Sequence, residues 1–538
     1  MENSSQQTCP SQHLPVVLVG LPGSGKSRVG QKVAELLGVE HIDTDAAVER
    51  TAQTSISDIF AEQGEEAFRV METEALRDAL DRDAVISIGG GAIETEEVRN
   101  LLRSATVVHI HAPLEELLRR VKRSNHRPLL REDPETTLAQ LDQRRTPLYR
   151  QVETFSAVTG SGPLQEVVDQ VIEQLGAVNV VTVEAEEPYP VIIGDNCTGW
   201  GLQMVPADAS KALLVVPEDL ADYGTQMHAR LESLGLQTRT FLHPTGEEAK
   251  TVATADRAWE AAGEMALGRR DVVVTLGGGA TTDFGGFIAA TWNRGVRVIH
   301  FPTTVLAMVD AAVGGKTGLN SAAGKNLIGS FYNPLCVCAD LWFLRSLPQR
   351  EYTAGLGEVV KCGFIADPEI LALIEKYPQV ADREWGTGPG LSVLRALIER
   401  AVAVKSKVVA ADFREGGLRE ILNYGHTLAH AIEKHSNYQV HHGEAVAIGC
   451  YFAAQVGQEL GRLTAGDVQR HRELLEQLRL PVVYPGVPQE LFDLMYTDKK
   501  TRGDQLRFVL LDGIGSANTV AVERDLLERV ATGSETFA

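Results

Sequence analysis

The sequence predicts an α/β chain. A domain built around a phosphate-binding loop precedes a larger unit that is α/β in its first half and mainly helical in its second. Short apolar runs alternate with helical periodicity up to Gly176, the pattern of a parallel sheet with crossover helices. A glycine-rich segment, GLPGSGKS, lies between the first apolar run and the first helical pattern. The period changes after Gly176, and after Leu347 strand-like runs thin out. These changes set domains at 14–177, 178–347 and 348–538.

Taken in order, LPVVLVG reads as a buried strand, and GSGKSRVGQKVAELLG turns to helical spacing. VVHIHAP is a second buried run, followed by the helical LEELLRRVKR. LQEVVDQVIEQLG closes the first part, with Gly176 as its C-cap. VNVVTVEAEEPYPVIIG is β-rich and contains Pro188 and Pro190, so a new domain begins near Val178. ALLVVPEDL, VVVTLGGG and VRVIHFP continue the strand pattern. Gln349 to Arg400 and Ile421 to Leu478 read as long helices.

Composition narrows the function. Lys and Arg total 51 against 72 Asp and Glu, a net charge of −21 that disfavours nucleic acid and anionic lipid as partners. No run approaches the roughly 18 apolar residues of a membrane helix. MENSSQQTCPSQH lacks the basic and apolar regions of a secretory signal. Six cysteines form no CxxC pair, and Cys336 and Cys338 are too close for a zinc knuckle. A cytoplasmic protein acting on small molecules is expected.

Gly20–Ser27 fits G-x-x-x-x-G-K-[ST] in its strand-to-helix context. Gly23, Ser24 and Gly25 let backbone N–H groups face phosphate, aided by the helix N-terminus. Lys26 reaches terminal phosphates, and the Ser27 hydroxyl suits magnesium. The acceptor is read elsewhere. Asp43-Thr44-Asp45 offers two carboxylates, or a solvated turn. Arg69 lies in EEAFRVMETEAL, and Gly89-Gly90-Gly91 ends the run AVISI. Arg127, in NHRPLL, suits a mobile lid over phosphates, and Arg145 in RRTPLY adds a cation.

Over residues 14–176 this constellation resembles shikimate kinase: GLPGSGKS, DTD, FR with Glu72 three residues on, GGG, RPLL and RxPLY occur in order. The resemblance implies that Lys26 and Ser27 hold ATP and Mg2+, with Asp43 supporting the metal. It implies that Asp45 binds the shikimate hydroxyls and acts as base. Arg69 and Arg145 would pair with the carboxylate, with Gly91 contributing backbone. Arg127 would stabilise the transferred phosphoryl charge and Arg120 would contact the nucleotide. Phosphoryl transfer needs such positioning and charge neutralisation more than covalent chemistry.

In the second part, Gly277-Gly278-Gly279 follows VVVTL, where spacing alone leaves both dinucleotide binding and a tight structural turn open. Lys316 and Lys325 lie in glycine-rich segments and read as phosphate ligands or surface lysines. NYGHTLAHAIE puts His426 and His430 on one helix face. With Glu358 in GLGEVVK and His442 in HHGE, imidazoles and a carboxylate suit a catalytic metal; spacing alone favours His426 with His430.

From about residue 180 to 538 the motifs resemble 3-dehydroquinate synthase: YPVIIG, GEEAK, GGGATTDFGGF, MVDAAVGGKTGLN, GKNLIG, GLGEVVK, VVAADFRE, NYGHTLAHAIE and HHGEAVAIG. The resemblance implies Glu358, His426 and His442 as ligands of Zn2+ or Co2+, and moves His430 beside the substrate phosphate. Implied substrate and catalytic residues are Arg294, Asp310, Lys316, Lys325, Asn326, Lys361, Lys405, Arg419, Asn423 and one of Lys499 or Lys500. Implied NAD contacts are Glu247, Lys250, Gly278, Gly279, Asp283, Thr303, Thr304 and Ser346. Two positions depart from the family. VVPEDLADY replaces the usual Asp/Asn pair for the adenosine ribose, and Ser346 stands where threonine is more frequent. The implied whole is a bifunctional enzyme, a homodimer through its synthase half. Its rivals are another sugar-phosphate cyclase, a polyol dehydrogenase, which would not need Lys316, Lys325 and Lys361, and a scaffold of inactive enzymes, which would have lost Lys26 or Glu358.

Overall fold

The structure, a computed structural model, describes residues 14–103, 105–122, 134–176, 178–322, 324–485, 488–498 and 506–537. Arg127, Lys499 and Lys500 lie outside them. Contacts divide the chain into a unit of residues 1–179, 197–212 and 225–239 and a unit of 180–196, 213–224 and 240–538.

In the first unit, β1 (Val16–Val19), β2 (Glu40–Asp43), β3 (Ala84–Ser87), β4 (Thr106–His111) and β5 (Phe155–Val158) form a parallel sheet in the order β2-β3-β1-β4-β5. The central strands β1 and β3 are buried at every residue, because helices cover both faces; the edge strand β5 alternates. β1 has β3 on one side and β4 on the other, so chain order reverses there. The carboxyl ends of strands at such a switch point open a crevice for ligands. GLPGSGKS follows β1, Asp43 ends β2, and Gly89–Gly91 follow β3.

In the second part of the chain, β6 (Val178–Val183), β7 (Tyr189–Gly194), β8 (Lys211–Pro217), β9 (Gln237–His243), β10 (Val272–Gly277) and β11 (Arg297–Pro302) precede the antiparallel pair β12 (Lys316–Ser321) and β13 (Gly324–Phe331), and then β14 (Cys336–Asp340). Seven of these make one sheet, β6-β7-β14-β11-β10-β8-β9. The pairs β10–β11, β11–β14 and β14–β7 are parallel. The Gly277–Gly279 turn and Thr303-Thr304 therefore leave the sheet at the same edge.

Helices follow. Gln349–Ile365 is buried at every position from Tyr352 to Ile365, which makes it the central helix of this half. It packs on His442–Glu459, also buried along most of its length. The packing is close because both helices carry glycine at the contact. A β-carbon on Gly443 would overlap the Ala354 carbonyl, and one on Gly357 would come within 2.6 Å of the Gly443 carbonyl. That approach puts Glu358, next to Gly357, beside His442, next to Gly443. An antiparallel pair, β15 (Leu506–Leu511) and β16 (Ala517–Val522), interrupts the helical half. No helix of the described residues is long and apolar enough to cross a membrane. Cys197, Cys336, Cys338, Cys362 and Cys450 are all buried free thiols.

Candidate active sites

In the first unit, Gly25 caps helix Lys26–Leu37 with left-handed backbone (φ 93°), a turn that favours glycine. Lys26 Nζ donates to the carbonyls of Gly20 (2.8 Å) and Leu21 (3.4 Å), so it lies folded into its own loop. Ser27 Oγ donates to Asp43 Oδ2 at 2.7 Å. Asp43 Oδ1 accepts from the backbone of Asp45 and Ala46, fixing the carboxylate while the other oxygen faces Ser27. A hydroxyl and a carboxylate side by side form a hard-oxygen set that fits Mg2+. The loop opens onto a cavity of about 690 Å³, also lined by Arg119, Arg120 and Thr159–Gly162. Arg120 is braced by Glu116 (2.7 Å) and by the Gly160 carbonyl (2.5 Å).

The acceptor side gathers residues from four segments. Arg69 donates to Glu72 (2.7 Å) and Glu65 (3.0 Å). Glu72 is buried, and burial raises its pKa against the pull of Arg69. Burial, and then the Asp43 charge, raise that of Asp45. Arg145 is buried and donates from Nε to Glu94 at 3.1 Å. Tyr149, one turn further along the same helix, donates to the Gly90 carbonyl at 3.0 Å and ties that helix to the glycine turn. Gly91 lies directly under the Arg69 guanidinium. Two arginines held by carboxylates, with Arg69 acting on the Asp45 charge, can receive a carboxylate-bearing polyol.

In the synthase-like half, Gly278 caps helix Gly279–Thr291 at the end of β10, where free backbone N–H groups and close backbone approach suit a pyrophosphate. Thr303 N donates to the Gly277 carbonyl (2.9 Å), and the Thr304 methyl faces Gly278. Lys250 is buried and donates to Asp283 at 2.7 Å and to Asn326. Burial lifts Asp283 to about 6 against the attraction of Lys250. Glu247 accepts from Asn320 at 2.6 Å, and Ser346 donates to the Phe343 carbonyl at 3.1 Å.

Glu358, His426 and His442 each offer a ligand atom, all within 4.8 Å of one another. Glu358 Oε1 lies 3.6 Å from His426 Nε2 and 3.3 Å from His442 Nε2. That oxygen is buried without a hydrogen-bond partner, and together with the two imidazoles it makes a donor set that fits a divalent cation. Burial opposes ionisation of Glu358, but Lys361, paired with its other oxygen, outweighs it and holds the carboxyl at about 2. Burial, and then Lys361, push His426 well below the usual range. Burial also opposes charge on His442, but flanking Glu358 and Glu433 raise it to about 10. Beside them Lys405 pairs with Asp310, donating also to its carbonyl at 2.5 Å. Burial would raise Asp310, yet Lys405 and Lys361 hold it far below the carboxylate range. Arg419 is buried, donating to the carbonyls of Phe413 (2.6 Å) and Gly314 (3.0 Å), and its Nε has no acceptor.

Most of the expected residues thus converge. Lys325 stands 3.7 Å over the Tyr438 ring and 4.0 Å from Glu433. Asn423 ends the short helix leading to His426. His430 is exposed, 5.5 Å from the His426 ring and outside the ligand group. Arg294 stands apart, in an exposed turn beyond the far end of helix Gly279–Thr291, whose 13 residues span ~20 Å from the glycine turn. Sequence reasoning missed three carboxylates. Glu415 accepts from Lys316 at 2.6 Å, Glu94 holds Arg145, and Glu433 faces His442. Glu433 was accessible to it: seven residues past His426 is two helical turns on the same face.

One chain therefore holds a P-loop phosphotransferase site and a site in which a glycine-turn nucleotide edge shares an enzyme with a carboxylate–imidazole metal set and buried lysines. Comparison with known proteins makes this particular. The shikimate kinase family profile matches residues 22–176, and the N- and C-terminal profiles of 3-dehydroquinate synthase match 240–354 and 355–501. A 3-dehydroquinate synthase of Rhodococcus opacus is 51% identical over 335 residues, 62% of this chain and 89% of the relative. Among solved structures, a 2-epi-5-epi-valiolone synthase from Streptomyces hygroscopicus with NAD+ and Zn2+ bound is 28% identical, with a TM-score of 0.56, covering 61% of this chain and 92% of that one. A 2-deoxy-scyllo-inosose synthase complexed with carbaglucose-6-phosphate, NAD+ and Co2+ is 25% identical, with a TM-score of 0.58, covering 65% and 99%. The chain belongs to the 3-dehydroquinate synthase family and carries a shikimate kinase domain ahead of it. The two domains make it a bifunctional enzyme of the shikimate pathway.

Proposed function

We propose that residues 14–177 transfer the terminal phosphoryl group of ATP to shikimate. Residues 178–347 and 348–538 together convert 3-deoxy-D-arabino-heptulosonate 7-phosphate to 3-dehydroquinate and phosphate. The observation that carries the synthase reading is the orphaned Glu358 oxygen facing two imidazoles, with Lys361, Lys405 and Asp310 packed beside it. When bound, Mg2+ neutralises phosphate charge, NAD accepts and returns a hydride, and Zn2+ or Co2+ polarises the oxidised oxygen.

The remaining chemistry belongs to the chain. Lys26 leaves its loop carbonyls for the phosphates, and Ser27 with Asp43 holds Mg2+. Asp45 takes the proton of the attacking hydroxyl. Its pKa, raised by burial, makes it a better acceptor than a solvated aspartate. Arg69 and Arg145 orient the shikimate carboxylate, Gly91 lets them close on it, and Arg127 stabilises the transferring group. In the synthase, Gly278, Gly279, Thr303 and Thr304 cradle the dinucleotide. Lys250 and Asp283 anchor its ribose side together with Glu247 and Ser346. Glu358, His426 and His442 hold the metal. Asp310, Lys316, Lys325, Asn326, Lys361, Lys405, Arg419 and Asn423 surround a polyanionic substrate, and His430 serves the departing phosphate. Locally such a cationic pocket overrides the −21 net charge.

The protein acts in the cytoplasm as a homodimer through the synthase half. Exposed Leu327 and Phe331, four residues apart and so on one face of β13, support an apolar subunit face there. Two assays on the full chain test the function: ADP formation with shikimate, and phosphate release from the heptulosonate phosphate with NAD. A cyclase for another sugar phosphate would leave the second substrate untouched.

A further inference from the structure

His426 and His442 are held differently. Both present Nε2 to Glu358, so both expose that nitrogen to the metal position. His426 Nδ1–H donates to a neutral acceptor, the Tyr424 carbonyl, at 3.2 Å. His442 Nδ1–H donates to a carboxylate, Glu433 Oε2, at 3.3 Å. The other Glu433 oxygen lies 4.0 Å from Lys325 Nζ, and Lys325 rests on the Tyr438 ring. Glu433 occupies the last turn of helix His426–His435, where the helix dipole disfavours a carboxylate. Helix electrostatics thus argue against an acid here, and its tertiary partners account for it.

We propose that Glu433 is a positioning residue. It keeps the His442 proton on Nδ1, so that the Nε2 lone pair faces the metal, and with its second oxygen it holds Lys325 at the same site. One carboxylate then sets both a metal ligand and a substrate-binding lysine. The proposal rests on the metal reading above. Partners of this kind fix the tautomer and ring orientation of a ligating histidine, and losing one weakens metal affinity by about 10- to 100-fold.

The test uses the full-length protein, stripped of metal and reloaded with Co2+ or Zn2+. Affinity is read by competition with a chromophoric chelator, and geometry by the visible spectrum of the cobalt form. Glu433→Ala should weaken both metals by about 10- to 100-fold and shift the cobalt bands. Glu433→Gln keeps an acceptor without its charge, so it should fall between the parent and the alanine variant, with a raised KM for the sugar phosphate. Lys325→Met should raise KM and leave metal affinity and spectrum as in the parent. Parental affinity and spectrum in Glu433→Gln overturn the proposal, including the case in which the alanine variant does not fold. A Lys325→Met effect on the metal equal to that of Glu433→Ala also overturns it, since the carboxylate would then act through the lysine. Glu358→Ala separates the two readings: if it too binds metal like the parent, the metal site itself is misplaced.

Discussion

Alanine at Gly91 tests the kinase acceptor site without disturbing the chain. Gly91 has φ −96° and ψ −16°, a conformation open to any L-residue, so the backbone accepts the change. The new methyl would lie 2.5 Å from Arg69 Nη2 and 2.8 Å from Nη1. Ordinary contact needs about 3.5 Å, so the guanidinium must retreat by about 1 Å. It is the tip of a flexible side chain, and the fold tolerates that retreat, but the substrate carboxylate loses its aligned partner. A hydrogen bond to a charged group is worth about 1.5–3 kcal/mol. At about 1.36 kcal/mol per decade, kcat/KM for shikimate should fall roughly 10- to 150-fold. Initial rates of ADP formation over a range of shikimate concentrations measure this, and phosphate release by the synthase on the same preparation serves as the internal control. An unchanged KM for shikimate would refute the placement of Arg69 at the substrate. An equal fall in the synthase rate would show that the variant unfolds instead.

Replacing Lys26 with Met should lower kinase turnover at least about a hundredfold, or ~2.7 kcal/mol of transition-state stabilisation, with the synthase unaffected in parallel assays. Strong chelation should stop phosphate release, with zinc or cobalt restoring it. By elemental analysis Glu358→Ala and His442→Ala should lack metal, whereas His430→Ala should retain it and fail to turn over. Burial lowers His300 and His471 from 6.5 to about 4, so in that window the unfolded chain binds protons that the folded one does not. Stability therefore falls as pH drops from 6.5 towards 4, by up to about 3 kcal/mol for each histidine. Urea titrations across that range, with His471→Gln as the flattened control, check it. A parent curve without slope there would rule it out.

Local motifs were legible because their chemistry is contiguous. GLPGSGKS puts loop, lysine and hydroxyl within eight residues, and both ligand helices announce their histidines in sequence. Spatial pairing was not legible, because it depends on packing between distant segments. Lys316 meets Glu415 across 99 positions. Glu358 reaches His442 only because Gly357 and Gly443 let two buried helices touch at their backbones. Helical spacing alone favoured His430 as the second imidazole ligand, since a repeat of four marks a shared face but not which member of that face points inward. The β15–β16 pair also escaped the reading. LRFVLL is a short apolar run, and periodicity cannot separate a strand from a buried helical turn at that length.

The buried thiols give this protein an internal clock. Cys362 and Cys450 lie on the two helices that carry Glu358 and His442, and Cys336 lies on β14. Burial raises all three thiols, Cys362 to about 12, so in the closed protein they are protonated and shielded from electrophiles. An alkylating reagent can reach them only when the surrounding segment opens. Capture at Cys362 and Cys450 then counts openings of the helix pair, while capture at Cys336 counts those of the sheet. Anything that ties Glu358 to His442 should slow the first more than the second.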